Sequence, residues 1–192
     1  QAGIDFKLKR PKGSGGVQRV DWLWPEQAQR LFDAAETVDP EFNRFLVFLC
    51  YTGVRLSEAL RLEVSQVRLS EAFAYVAESK NEESRAVFLP PVVVAALGSH
   101  PRGMERPGET VFRFRKNGHL YTFMKKTKAK AGQDLAWVTF HILCHTWATW
   151  MRRYAGLDIR GLVGTGRWKD LKSAARYNHV VVSEESQRAV LL

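Results

Sequence analysis

Apolar side chains at Ala28, Leu31, Phe32 and Ala35 recur at the three-and-four spacing that lines one face of a helix. Pro25 precedes them where a first helical turn tolerates a missing N–H, so the pattern predicts a helix opening there. Asp39-Pro40 repeats the arrangement, and the apolar stretch after it ends at Gly53, a residue suited to a left-handed C-cap. Two packed helices are expected, with Ser57 and Glu58 starting a further short helix and Arg55 held in a tight elbow between them. From Val64 to Leu89 the period shortens to two. Phe73–Ala77 and Arg85–Leu89 flank the polar run Ser79-Lys80-Asn81-Glu82-Glu83-Ser84, a hairpin pattern with Lys80 on its tip. Pro90-Pro91 ends the sheet and begins a short apolar helix to Leu97, after which His100 to Gly108 reads as a loop. Residues 119–131 read as a helix with Lys125, Lys126, Lys128 and Lys130 on its polar face. Trp147, Trp150 and Met151 fall at helical spacing between His145 and Tyr154, and both tryptophans are read as packing residues. Gly156 closes that helix; another starts at Asp158, and a last one runs from Lys169 or Asp170 to Tyr177. The fold class expected is α+β, mainly helical, with a small antiparallel sheet near residues 64–90.

Composition narrows the partners. Lys and Arg number 29 against 20 Asp and Glu, a formal charge of +9, which favours a polyanion and leaves DNA, RNA and an anionic surface open. The longest apolar runs, such as residues 45–51 and 92–97, fall far short of the roughly 20 residues a bilayer demands, so no transmembrane segment is expected. Cys50 and Cys144 stand far apart, which gives no disulfide framework and no CxxC metal site and suits a reducing, cytoplasmic setting. Residues 1–20 place Lys7, Lys9, Arg10, Lys12 and Arg19 around Gly13-Ser14-Gly15-Gly16, the composition of a basic flexible linker. With no signal-like apolar core behind Gln1, the chain reads as a fragment of a longer protein.

The chemistry concentrates in two stretches. Thr52-Gly53-Val54-Arg55-Leu56-Ser57-Glu58 lies upstream; His141-Ile142-Leu143-Cys144-His145-Thr146, Gly166-Arg167-Trp168-Lys169 and Arg176-Tyr177-Asn178-His179 follow in order. Together they resemble the active-site set of the tyrosine recombinases, also called the phage integrase family. The resemblance implies that residues 21–192 form a catalytic domain, with the separate N-terminal DNA-clamp domain absent. It implies Arg55 as the first arginine on the scissile phosphate, where a guanidinium fork binds bidentately. Lys80 becomes the hairpin lysine that protonates the leaving oxygen. His141 would bond a phosphate oxygen or assist proton transfer, and Trp168 would donate its indole N–H. Tyr177 becomes the nucleophile, nine residues after Trp168 as in the family. The expected reaction is attack by Tyr177 on a DNA phosphate, giving a 3′-phosphotyrosyl link and a free 5′ hydroxyl, then strand exchange and reversal. No cofactor or metal is implied. The partner is duplex DNA, contacted by Arg55, Lys80, Lys125, Lys126 and Arg167, with a tetramer forming on paired sites from protomers that are monomers when free. The tail beyond His179 is expected to dock on a neighbouring protomer.

Cys144 departs from this pattern by occupying the slot of the family's second arginine. A thiol offers no guanidinium fork. Loss of an arginine that neutralises a phosphoryl-transfer transition state costs on the order of 10³–10⁵ in rate, so the chain is expected to bind DNA yet to be severely impaired in cleavage. Of the neighbouring cations Arg152, Arg153 and Arg167, the last is best placed to compensate, because the first two fall about 12 Å further along the same helix. A DNA-binding module of the same fold and a type IB topoisomerase-like enzyme stand as alternatives. A papain-like Cys144-His145 pair is excluded because adjacent helical residues point apart.

Overall fold

The computed structural model describes residues 21–77 and 84–181. Lys80, residues 1–20 and most of the tail beyond His179 lie outside them. Helix α1, Pro25–Val38, buries Ala28, Leu31, Phe32 and Ala35, the face its spacing predicts. Helix α2, Pro40–Thr52, starts where the Asp39 carboxylate accepts from the Phe42 N–H at 2.9 Å. It ends at Gly53, whose φ of 65° lets its N–H return to the Leu49 carbonyl at 3.1 Å. A short helix α3, Leu56–Ala59, then leaves the elbow with Arg55 as its N-cap residue.

The sheet holds β1, Val67–Arg68, β2, Phe73–Ala77, and β3, Ser84–Phe88, in the order β1-β2-β3 and antiparallel throughout. Ala74 faces Val87 and Val76 faces Arg85; Ala74, Val76 and Val87 are buried. Helix α4, Pro91–Gly98, follows Pro90. Helix α5, Gly118–Ala131, begins where the Asn117 side chain accepts from the Leu120 N–H at 3.3 Å. Helix α6, Phe140–Arg153, starts five residues earlier than the tryptophan spacing suggested. Thr139 supplies the cap, accepting from the Ile142 N–H at 3.4 Å, and Phe140 and Leu143 join the core as part of the first turn. Helices α7, Ile159–Gly164, and α8, Leu171–Ala174, are capped by Asp158 and Asp170; α8 runs on into a 3-10 segment, Ala175–Val180.

Two apolar cores result. The larger centres on Phe42, Phe45, Phe48 and Phe112, with Phe45 and Phe112 rings 5.0 Å apart. A smaller one gathers Trp147, Ala148, Leu162, Ala174, Tyr177 and Val180 between the second half of α6 and the C-terminal segment. Helix α6 borders both, so its residues are fixed from two sides. A buried carboxylate ties the loop after α4 to α2. Glu41, fully buried, accepts from Arg102 Nη2 at 3.0 Å, from Arg102 Nε at 3.1 Å and from the Arg113 N–H at 2.7 Å. These bonds hold its pKa below the usual carboxylate range despite the opposing effect of burial.

Candidate active site

The site is organised by the elbow after α2. Gly53 has no side chain, and Trp147 of α6 lies against it so closely that a Cβ would stand 2.3 Å from a ring carbon. Beyond it, the Arg55 N–H donates to Glu58 Oε2 at 2.8 Å and Arg55 Nη1 to Oε1 at 2.9 Å. Arg85 of β3 reaches the same carboxylate at 3.0 and 3.3 Å. Glu58 is buried, and these guanidinium and backbone bonds overcome the cost of burial to hold its pKa down at about 2. It remains charged and aims the half-exposed Arg55 outward.

Helix α6 carries the facing side. His141, Cys144 and His145 fall within its first turns; His141 is exposed and its ring meets His145 edge-on at 4.3 Å. Cys144 Sγ donates to the Val54 carbonyl at 3.5 Å, and burial pushes its thiol pKa up. Arg167, only 8% exposed, comes from the turn after α7 and donates Nε to the Gly53 carbonyl at 2.6 Å. Arg55, His141, Cys144 and Arg167 thus line one cavity of about 610 Å³. Lys116, Lys125 and Lys128 form its other wall. The described residues lining it include five Lys or Arg and no carboxylate, so the cavity favours an anion. Lys128 is held there by the Ala136 and Val138 carbonyls at 2.7 and 2.9 Å.

Tyr177 and Trp168 sit behind this cavity rather than on its lining. Tyr177 is 2% exposed in the smaller core, and its hydroxyl oxygen lies 2.6 Å from His145 Nδ1. Burial raises the phenol's pKa to about 12 against the partial relief of Arg176 and Arg167. Burial, then the His141 and arginine charges, lower that of His145 to about 4. At neutral pH the phenol therefore keeps its proton and the imidazole is uncharged, and the two share one hydrogen bond whose donor is set by the imidazole tautomer. His145 thus reaches 32 positions along the chain for its partner. Trp168 stacks on Trp147 at 6.1 Å and tilts against Tyr177 at 5.3 Å. Arg152 donates to the Tyr177 carbonyl at 3.4 Å and Arg153 to that of Val180 at 3.0 Å, so both brace the C-terminal segment, and neither lines the cavity. Lys126 is exposed on α5 beside Lys125. The Arg85 contact to Glu58 and the His145–Tyr177 bond escaped sequence reasoning, since neither partner's spacing announces the other.

The model for the phage integrase family matches residues 21–184. The integrase of Salmonella phage P22 is 26% identical over 204 residues, which cover 96% of this chain and 49% of that protein. Tyrosine recombinase XerA of Saccharolobus solfataricus is 28% identical over 182 residues, 94% of this chain and 60% of its own. This chain therefore spans about half to three fifths of these relatives. Among solved structures, a XerA recombinase shares 29% identity with a TM-score of 0.70, over 88% of this chain and 63% of that one. The catalytic domain of bacteriophage HP1 integrase has the same fold, with a TM-score of 0.67 at 20% identity over 90% of this chain and 95% of that one.

Proposed function

Since the chain belongs to the phage integrase family, we propose that it breaks and rejoins duplex DNA at specific sites through a covalent bond to Tyr177. The observation that carries this reading is the convergence of Arg55, His141 and Arg167, from three separate segments, on one cavity whose described lining holds no carboxylate, with the Tyr177 phenol bonded to the next turn of the His141 helix. A DNA phosphate entering the cavity meets cations on its non-bridging oxygens, which stabilise the charge that builds up as phosphorus is attacked. Tyr177 Oη forms the new bond to phosphorus and the P–O5′ bond breaks. The 5′ oxygen takes a proton, a role assigned to Lys80 by family resemblance. His141, whose pKa is lowered first by partial desolvation and then by Arg167 and Arg176, can accept the phenolic proton or bond a phosphate oxygen. Reversal by another 5′ hydroxyl rejoins the strand, and the phosphotyrosyl link conserves the bond energy, so no external energy source enters.

Because the cavity leaves Tyr177 outside its lining, the phenol must leave His145 before attack. The fuller reading is a cytoplasmic recombinase that assembles as a tetramer on paired DNA sites from free monomers. Among the described residues no helix is long and apolar enough to cross a membrane. The test is incubation with a pool of randomised nicked duplexes, followed by denaturing electrophoresis. A covalent adduct is expected, absent in Tyr177→Phe while DNA binding persists; an adduct that survives Tyr177→Phe overturns the assignment. Relaxation of supercoiled plasmid without two paired sites favours a type IB topoisomerase-like enzyme. DNA binding with no adduct in any variant favours a binding module.

A further inference from the structure

The cation beside Cys144 changes what that cysteine means. Arg167 follows Gly166, whose φ of 76° turns the chain and where a Cβ would stand 3.3 Å from the Arg85 side chain. The turn sends the Arg167 side chain inward, and its Nε–H on the Gly53 carbonyl fixes the guanidinium plane. Neither Nη atom bonds an oxygen of the described residues, and neither is a sealed, unsatisfied donor. The guanidinium lies against the Cys144 sulfur and faces the cavity that Arg167 lines together with Arg55. No carboxylate of the described residues lies within ion-pair distance of this nearly buried charge; Glu58, paired with Arg55 and Arg85, acts on it only at longer range and against the repulsion of Arg55. A guanidinium held that way is unfavourable by itself and calls for an anion from outside. Cys144 lies directly beside it and is small; its thiol is spent on the Val54 carbonyl one residue from Arg167's own anchor.

We infer that Arg167 supplies the second guanidinium of the phosphate clamp, delivered from the turn between α7 and α8, with the small Cys144 side chain leaving it room. The inference rests on the function proposed above and replaces the expectation of a crippled enzyme: the chain as it stands cleaves DNA without an arginine at position 144. An arginine there as well would force two guanidiniums into one space, so Cys144→Arg alone lowers activity, whereas Cys144→Arg with Arg167→Ala moves the charge back to α6 and recovers it.

Two measurements on the whole chain test this. Calorimetric titration with inorganic phosphate at low salt should show affinity falling at least tenfold in Arg55→Ala and in Arg167→Ala, and recovering in Cys144→Arg/Arg167→Ala. Adduct formation on randomised nicked duplexes should fall on the order of 10²–10³-fold in Arg167→Ala and recover in the double variant. Arg167→Lys keeps the charge without the fork and should regain phosphate affinity but less than a tenth of the adduct rate. If Arg167→Ala does not fold, the folded double variant and Arg167→Lys carry the test. Phosphate affinity and adduct rate undiminished in Arg167→Ala overturn the inference and leave the Tyr177 reading standing, as does a Cys144→Arg single variant faster than the parent. Phosphate affinity that depends on Arg167 while no protein forms an adduct overturns the Tyr177 reading and leaves Arg167 as an anion-binding residue.

Discussion

Gly53 answers to two demands at once, a left-handed backbone and a Trp147 ring where its Cβ would be. Gly53→Ala should cost on the order of 2–4 kcal/mol, the sum of a strained φ and an overpacked contact. Urea denaturation checks it, with Gly98→Ala, where a Cβ meets nothing within 4 Å, as a control near neutrality. His145 makes a second prediction, with a sign. Its folded pKa of about 4 lies below the unfolded value near 6.5, so within that window the unfolded chain holds a proton that the native one lacks. Stability should therefore fall as pH drops from about 6.5 to 4, with a slope of up to about 1.4 kcal/mol per pH unit from one such group. His141 and His100, both lowered chiefly by burial, act in the same direction. His145→Gln should flatten the slope in denaturant melts across that range; an unchanged slope would assign it to the other histidines. That Arg55 and His141 come to one cavity was legible because each sits in a short local motif. The burial of Arg167 and the bond from His145 to Tyr177 were not, because each depends on a partner brought close only by the fold: Gly53 lies 114 positions from Arg167.

At the level of elements, helix starts were readable where the cap is a side chain within three residues of its target, as at Asp39, Asp158 and Asp170. The start of α6 was hidden because His141 and His145 interrupt the apolar period just where Phe140 and Leu143 enter the core. The Glu41 bonds to Arg102 and Arg113 span 61 and 72 positions, and no local pattern signals them. Glu41→Ala would strand two arginines around an apolar hole and should cost about 3–5 kcal/mol, measurable as a lowered denaturation midpoint. Glu58 joins elements differently, linking the Arg55 elbow to β3 through Arg85. Its pKa of about 2 means that its ion pairs stabilise the protein fully above the unfolded value near 4.5 and lose that effect as pH falls toward 2. Glu58→Gln should soften this acid transition and, by loosening Arg55, weaken phosphate binding; a variant with parental phosphate affinity would show that Arg55 is held without the charge.

For the whole molecule, the +9 charge and the five Lys and Arg that line the cavity point to binding that strengthens as salt is removed. Duplex DNA affinity, followed by fluorescence anisotropy, should drop by on the order of 10²-fold between 50 and 200 mM salt, as expected for several phosphate contacts; affinity flat in salt would refute a phosphate-led interface. Tyr177 sits in the smaller of the two cores, packed with Trp147, Ala148, Leu162, Ala174 and Val180. Under the function proposed above, presenting its phenol to DNA means opening a piece of folded protein, and each 1.4 kcal/mol that opening costs cuts the armed fraction about tenfold. Folding itself then acts as a safety catch. On that same proposed function, a DNA phosphate that reaches the cavity meets a disarmed molecule unless this core has opened, and whatever packs against the vacated core would release the catch.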